Sequence, residues 1–217
     1  MQVEVWSDVV CPWCYIGKRR LEGALARFPA GDEIEVVWRS FELAPGLPAG
    51  QEVDLLDHLA AKYGVTRDEA RAMNERVTAL AAGEGLGLRL DLARRGSTFD
   101  AHRILHLARA RGGDEMQEAL AEALFDAYQT GGQPIADHST ITAVAVGAGL
   151  DAGEVRSALA GDAYADAVRE DERRARALGA TGVPFFVVDG RIAVAGAQPA
   201  EVLVSVLERA GALHRAG

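Results

Sequence analysis

The two cysteines of this chain lie two residues apart, in the segment Cys11-Pro12-Trp13-Cys14. They follow an apolar run typical of a strand and precede a pattern typical of a helix. A sulfur at such a junction lies against the unpaired N–H groups at the start of the helix, which favour the thiolate and lower the cysteine pKa. A second cysteine one turn later can attack a mixed disulfide formed on the first. The spacing predicts a redox-active dithiol, with Cys11 as the more exposed, attacking thiol and Cys14 as the more buried, resolving thiol.

Two structural interpretations compete with redox chemistry at these cysteines. Both could be small buried apolar residues, but such cysteines rarely fall as a pair at a strand–helix junction. A zinc site needs four nitrogen or sulfur ligands, and the sequence has no second cysteine pair. His102 and His106 are one turn apart and could supply two further ligands. We expect no metal.

The composition limits the partners of the chain. Its 217 residues carry a net charge of −9, which disfavours nucleic acids and anionic membranes because both require a basic face. The amino terminus has no basic and apolar leader, and no stretch is long enough to span a bilayer. We therefore expect a cytoplasmic protein. A dithiol in a reducing cytosol is expected to be catalytic or redox-sensing.

Two groups of strands flank a long helical block. A strand over residues 2–7, a helix and a second strand over 34–41 come first. Residues 185–195 contain two apolar runs joined by Asp189-Gly190, a strong hairpin signal, and a final helix begins near Pro199. This order, β-α-β and then β-β-α, predicts the α/β class, with a thioredoxin-like fold and a mixed four-stranded sheet. The predicted domains are a discontinuous thioredoxin-like domain (1–48 and 178–217) and a helical insertion (49–177).

The insertion contains apolar residues at helical spacing throughout. Pro45, Gly46, Pro48 and Gly50 mark a linker before it. Thr66 with Glu69 predicts a capping box, and Asp151 with Glu154 predicts another helix start. Two separate helices are expected, one around residues 101–108 and one around 116–127, and a long charged helix from 162 to 178 ends the block.

The chain resembles the DsbA-type thioredoxin superfamily, and more narrowly its FrnE-like branch. The likeness rests on four segments: the eight residues from Cys11 to Lys18, the stretch 97–103, Thr181-Gly182-Val183-Pro184-Phe185-Phe186, and Gly196-Ala197-Gln198-Pro199. The resemblance implies a cis proline at Pro184, beside the dithiol, with the backbone of Val183 free to pair with an extended substrate. Pro12, Trp13, Val183 and Pro184 are then substrate-binding residues.

Three neighbouring residues could tune the chemistry. Trp13 offers an apolar wall, and its position between the cysteines lacks the histidine of strongly oxidising relatives, so we predict an intermediate reduction potential. His102 lies in a segment that, by resemblance, faces the site; a proton relay is one interpretation, and a packed structural histidine is the other. Asp8 either helps to deprotonate a sulfur or caps the turn, and capping is favoured.

The leading hypothesis is a thiol–disulfide oxidoreductase acting on a thiol- or disulfide-bearing protein or small thiol. It needs no bound cofactor, and glutathione or another thiol is a candidate electron partner. Kappa-type glutathione transferases and the related 2-hydroxychromene-2-carboxylate isomerases share the architecture. Those relatives carry serine where this chain has Cys11, and they also differ from this chain at the positions of Ser97 and of Ala197-Gln198. These differences count against an isomerase. A peptide-binding holdase is the third hypothesis.

Overall fold

The computed structural model describes residues 1–29, 31–47 and 53–215, with side chains described as far as residue 213. Its central sheet has four strands in the order β2-β1-β5-β6, namely β1 (Gln2–Ser7), β2 (Glu35–Ser40), β5 (Phe185–Val188) and β6 (Ile192–Ala195). Strand β1 pairs with β2 in parallel, whereas the other pairs are antiparallel. The predicted α/β thioredoxin-like fold with a mixed sheet is confirmed.

Eight helices surround this sheet in the described part of the chain. They are α1 (Pro12–Leu25), α2 (Leu55–Tyr63), α3 (Arg67–Gly83), α4 (Phe99–Gln129), α5 (His138–Gly147), α6 (Ala152–Ala160), α7 (Ala165–Ala177) and α8 (Ala200–Arg215). A short 3-10 turn, Gly31–Glu33, precedes β2. Across the described ranges, no helix has both the length and the apolar character needed to cross a membrane.

Local signals gave several helix and turn boundaries correctly. Thr66 and Glu69 form the predicted capping box, and the Asp151 carboxylate accepts the backbone N–H of Glu154. The turn residues Asp189 and Gly190 have φ values of 48° and 65°, the pair of positive values that a type I′ hairpin requires. The charged helix α7 is shorter than expected, because Tyr164 adopts a left-handed conformation directly before it.

The two helices expected around residues 101–108 and 116–127 form one element, α4, with a kink. Gly112 and Gly113 depart from helical geometry, and Gly113 has φ 69° and ψ −160°, a region open essentially to glycine alone. The two halves of α4 therefore point in different directions. The first half carries His102 and Arg103, and the second carries the glutamates that bind α1.

The insertion also contains a strand pair that the sequence did not predict. Strand β3 (Val53–Asp54) pairs antiparallel with β4 (Arg94–Arg95). Pairs of two residues are too short to give an alternating pattern. The proposed domain boundaries stay a prediction, and the linker residues Pro48 and Gly50 lie outside the described residues.

A cluster of charges joins helix α1 to the second half of α4. The ammonium of Lys18 is buried and lies within ion-pair distance of Glu22, Glu118 and Glu122. The Tyr15 hydroxyl donates to Glu122 at 2.6 Å, and Arg19 also binds this carboxylate. Helix α1 carries the dithiol, so this cluster fixes the dithiol relative to the inserted helices.

We expect this cluster to stabilise the protein only above strongly acidic pH. Burial raises the pKa of Glu122, but hydrogen bonds from Arg19, Tyr15 and Lys18 outweigh it and lower the value to about 2. A lowered pKa in the folded state gives stability that is present above the unfolded-state value and is lost as the pH falls through about 2. Urea unfolding should find Glu122→Gln less stable than the wild type at neutral pH. The difference in the free energy of unfolding between the two proteins should vanish as the pH approaches that value. A difference that does not depend on pH would contradict a stabilising role of the ionised Glu122.

Two glycines of α1 provide a matched pair for testing how tightly Pro184 packs on this helix. A Cβ added at Gly17 would lie 2.9 Å from Cγ of Pro184, whereas one added at Gly23 would meet nothing closer than 3.8 Å. Alanine in place of glycine stabilises a helix by about 1 kcal/mol where space allows. We expect Gly23→Ala to raise the thermal midpoint and Gly17→Ala to lower it. Equal effects of the two substitutions would refute the close packing.

Candidate active site

The fold places Cys11 at the junction that the sequence predicts. It is the residue that caps the amino terminus of α1, with φ −91° and ψ 111°, and Pro12 follows it as the first helical residue. Proline suits this position because it has no N–H to leave unpaired. The backbone N–H of Cys14 reaches the carbonyl of Cys11 at 3.0 Å, so the second sulfur lies one turn along the helix. The thiols are adjacent and unbonded.

Cys11 is less accessible than the sequence suggests. Its relative exposure is 5%, against 1% for Cys14, so the predicted order is correct but Cys11 is not an exposed residue. Helices α2 and α3 contribute the cover, including Tyr63, and together with Trp13 they leave a cavity of about 120 Å³ over Cys11. The sequence could not predict this cover because it comes from residues distant along the chain.

The two thiols have opposite acidities. A hydrogen bond from the Cys14 thiol is the largest influence on Cys11, and it lowers the Cys11 pKa against the opposing effects of burial and of Asp8. The backbone N–H groups of Cys14 and Trp13 lower it further. Burial raises the pKa of Cys14 well above its ordinary value, and Cys11 adds to the rise. Cys11 is therefore the thiol that ionises first, as an attacking thiol must.

Asp8 is buried beneath the dithiol and mainly fixes the backbone. Its carboxylate accepts the backbone N–H of Leu43 at 2.7 Å and that of Val10 at 3.4 Å. Its backbone carbonyl accepts the N–H of Cys11 at 2.9 Å. The capping role is thus confirmed, and the negative charge raises the pKa of both cysteines.

We expect Asp8→Asn to lower the pKa of both cysteines. The amide keeps an oxygen that can accept the N–H of Leu43, while the charge that opposes thiolate formation is removed. The ultraviolet absorbance of the thiolate, followed against pH, measures the change. As a control, Asp189→Asn alters a turn carboxylate that accepts the Gln2 N–H far from the dithiol. An unchanged or higher Cys11 pKa in Asp8→Asn would contradict the prediction.

His102 is packed against Asp8. It is 1% exposed, and its Nε2 lies 3.7 Å from Oδ1 of Asp8. Among the described residues, neither ring nitrogen has a hydrogen-bond partner. Burial lowers the His102 pKa, but the carboxylates of Asp8, Glu42 and Glu172 raise it above its ordinary value. His102 thus adjoins the group beneath the dithiol, and its role as a proton relay stays a prediction.

The loop before β5 brings Val183 and Pro184 to the dithiol. The peptide bond between them is cis, and Pro184 packs against α1 at Gly17. The Cys11 thiol donates to the carbonyl of Val183 at 3.7 Å, a distance within hydrogen-bonding range for sulfur. Gly196, directly after β6, supports the loop, because its N–H donates to the carbonyl of Pro184 at 2.8 Å.

The described residues contain no group of three or more side chains suited to binding a metal. His106, one candidate ligand, is held by Asp171 at 3.1 Å and by Ser40 at 3.2 Å. The two histidines therefore contact different carboxylates, although they lie one turn apart.

Sequence reasoning missed two charged residues of this site. Arg95 is buried and lines the cavity over Cys11, and Lys62 lines it nearer the surface. Arg95 stands in a run of two arginines with no sequence signal that separates it from the exposed Arg94. Only the pairing of β3 with β4 turns it inward.

Comparisons with known proteins agree with this geometry. The family model of the DSBA-like thioredoxin domain matches residues 2–208. The crystal structure of a probable DsbA oxidoreductase, SCO1869 from Streptomyces coelicolor, is 50% identical, with a TM-score of 0.93 over 98% of this chain and 90% of that one. The uncharacterized protein YwbO of Bacillus subtilis is 28% identical over 93% of each chain. The cytosolic disulfide reductase DsbM of Pseudomonas aeruginosa with GSH is similar in fold, at 20% identity, TM-score 0.64 and coverage of 96% and 98%.

Proposed function

Because the chain belongs to the DSBA-like thioredoxin domain family, we propose that it is a thiol–disulfide oxidoreductase whose reactive groups are Cys11 and Cys14. The observation that carries the proposal is the opposite shift of the two acidities. The Cys11 pKa is lowered and the Cys14 pKa is raised, although the thiols are neighbours. Cys11 is thereby suited to attack as a thiolate, and Cys14 stays a thiol until it resolves the mixed disulfide.

In the reducing direction, the Cys11 thiolate attacks one sulfur of a substrate disulfide. A new bond forms at Cys11 Sγ, the substrate S–S bond breaks, and one half leaves as a thiolate. Cys14 then loses its proton to solvent or to the leaving thiolate and attacks Cys11 Sγ, which releases the other half and closes the Cys11–Cys14 disulfide. The dithiol supplies both electrons, so the reaction needs no bound cofactor. The oxidising direction is the reverse.

The loop at Val183 supplies a site for the substrate backbone. The Val183 carbonyl lies beside Cys11, so an extended substrate segment can pair with this residue in the manner of an added strand. Pro184 holds the carbonyl in place through its packing on Gly17. Pro12 and the half-exposed ring of Trp13 provide an apolar wall at the rim. This arrangement supports thiol or disulfide compounds as partners, with glutathione or another cytoplasmic thiol as the electron partner.

Trapping of the mixed disulfide tests the proposal. Reduced Cys14→Ser should accumulate a covalent adduct at Cys11 when mixed with glutathione disulfide or insulin, and mass spectrometry of the intact protein detects it. Cys11→Ser should form no adduct. An isomerase that only activates glutathione would keep its activity without Cys14, and a holdase would keep its activity without either cysteine. Either result would overturn the proposal.

The reduction potential is a second measure. Trp13 supplies no cation between the cysteines, so we predict a value between the roughly −120 mV of DsbA and the roughly −270 mV of thioredoxin. Equilibration with glutathione buffers, followed by counting of free thiols, gives the value. A potential outside this interval would show that groups other than the residue between the cysteines control the dithiol.

A further inference from the structure

Two arginines are buried in the described part of the chain, and their surroundings differ. Arg103 donates to three backbone carbonyls and pairs with Asp100. Arg95, at 5% exposure, forms no ion pair with any described residue, and its covered Nε has no hydrogen-bond partner among them. The Nε of Arg95 is therefore a covered donor without an acceptor, and such a donor is costly to leave unpaired.

Arg95 lines the same cavity as Cys11. Among the described residues, the other charged one lining this cavity is Lys62, at its exposed edge, so the described lining carries two positive charges and no negative one. The sign is opposite to that of the whole chain, whose net charge is −9. His58, also close to Arg95, has its pKa lowered by burial, by Arg95 and by Lys62. The described lining of the cavity is therefore positive, although the Asp8 carboxylate also acts on the dithiol.

Most of the remaining lining residues are apolar, with Asn74 as a polar exception, and the backbone of Arg95 is fixed. Leu59, Met73 and Val77 line the cavity from α2 and α3. Arg95 pairs with Val53 across the β3–β4 ladder, so its side chain projects from a fixed backbone. The cavity of about 120 Å³ is small, which suits a short acidic chain beside Cys11.

We propose that Arg95, assisted by Lys62, binds a carboxylate of a small thiol or disulfide whose sulfur reacts at Cys11. This inference rests on the proposed function and specifies the substrate class. The carboxylate meets the guanidinium at the inner end of the cavity, the apolar walls hold the short chain between, and the substrate disulfide lies at Cys11. The reaction is the exchange described above, in which both electrons come from the dithiol and both halves of the substrate leave as carboxylate-bearing thiols.

A pair of disulfides that differ only in charge tests the inference. Dithiodipropionate carries one carboxylate on each half, and its diamide has the same shape without the charge. The reduced protein should react with the dianion at least about tenfold faster than with the diamide, the size expected for a charged hydrogen bond in a covered site. In Arg95→Gln this ratio should fall towards one. Arg94→Gln, which removes an exposed charge from the neighbouring residue of β4, should keep the wild-type ratio.

Several results would overturn the inference. The first is a wild-type ratio of the dianion rate to the diamide rate that is near or below one. The second is a fall of this ratio in Arg94→Gln as large as that in Arg95→Gln. The third is an equal slowing of both disulfides in Arg95→Gln, which leaves the ratio unchanged. If Arg95→Gln does not fold, Lys62→Gln provides the same test at an exposed residue, and it should lower the ratio in part.

A failure of the proposed function itself is distinguishable from a failure of this inference. If neither disulfide reacts, the alkylation of Cys11 by iodoacetate and by iodoacetamide in Cys14→Ser still reports on the cavity, because these reagents differ in charge and need no exchange. Arg95→Gln should then lower the rate with iodoacetate relative to iodoacetamide. An unchanged ratio of the two rates would refute the carboxylate site on its own.

Discussion

Replacing Arg103 with methionine is expected to lower the free energy of unfolding by about 3–5 kcal/mol. The guanidinium is buried on the first half of α4 and donates to the carbonyls of Ala158, Gly161 and Ala163 at the end of α6 and beyond it. It also binds Asp100 at 2.6 Å. Methionine fills much of the volume but leaves these acceptors without donors, and each unpaired buried acceptor costs on the order of 1–3 kcal/mol.

Arg111→Met is the matched control for this prediction. Arg111 lies on the same half of α4 and pairs with Glu154 of α6, but both side chains are largely exposed. Exposed pairs contribute about 0–1 kcal/mol, so its loss should be nearly neutral. Urea unfolding of both variants at neutral pH measures the difference. Similar losses in the two variants would mean that the Arg103 contacts add little stability.

Replacing Cys14 with alanine is expected to raise the pKa of Cys11 and to stop multiple turnover. The Cys14 thiol is the largest influence that lowers the Cys11 pKa, so its removal leaves burial and Asp8 less opposed. The variant also lacks the group that resolves the mixed disulfide. Thiolate absorbance against pH gives the first effect, and insulin reduction in the presence of limiting dithiothreitol gives the second.

Cys14→Ser separates these two effects. A serine hydroxyl can donate a hydrogen bond to the thiolate but cannot form a disulfide. The Cys11 pKa in Cys14→Ser should lie closer to the wild-type value than that in Cys14→Ala, while turnover should be lost in both. If both variants keep the wild-type Cys11 pKa, the helix amides alone set the acidity, and the thiol–thiol contact has no part in it.

The features that the sequence predicted correctly are those set by neighbouring residues. The hairpin at Asp189-Gly190 depends on the conformations these two residues tolerate, and the capping box at Thr66 spans only four residues. The position of Cys11 at a helix start is local in the same sense. Each was therefore readable from a few consecutive residues.

The features that the sequence did not predict depend on segments far apart in the chain. The cover over Cys11 comes from α2 and α3, and the burial of Arg95 depends on its pairing with Val53. The contribution of the Cys14 thiol to the acidity of Cys11 depends on how the side chains are oriented, which spacing alone does not give. The kink that merges two expected helices into α4 needs Gly113 in a conformation that no neighbouring residue dictates.

The amide of Gln117 bears on how the protein avoids association through its sheet. It accepts the N–H of Trp38 at 3.2 Å and donates to the carbonyl of the same residue at 3.0 Å, on the outer side of β2. Asp171 accepts the N–H of Ser40 at 3.0 Å on the same side. These side chains occupy the positions that the backbone of another polypeptide would need in order to extend the sheet. The outermost strand on this flank is therefore shielded from strand-to-strand aggregation while the dithiol, at the end of β1, remains free to exchange partners.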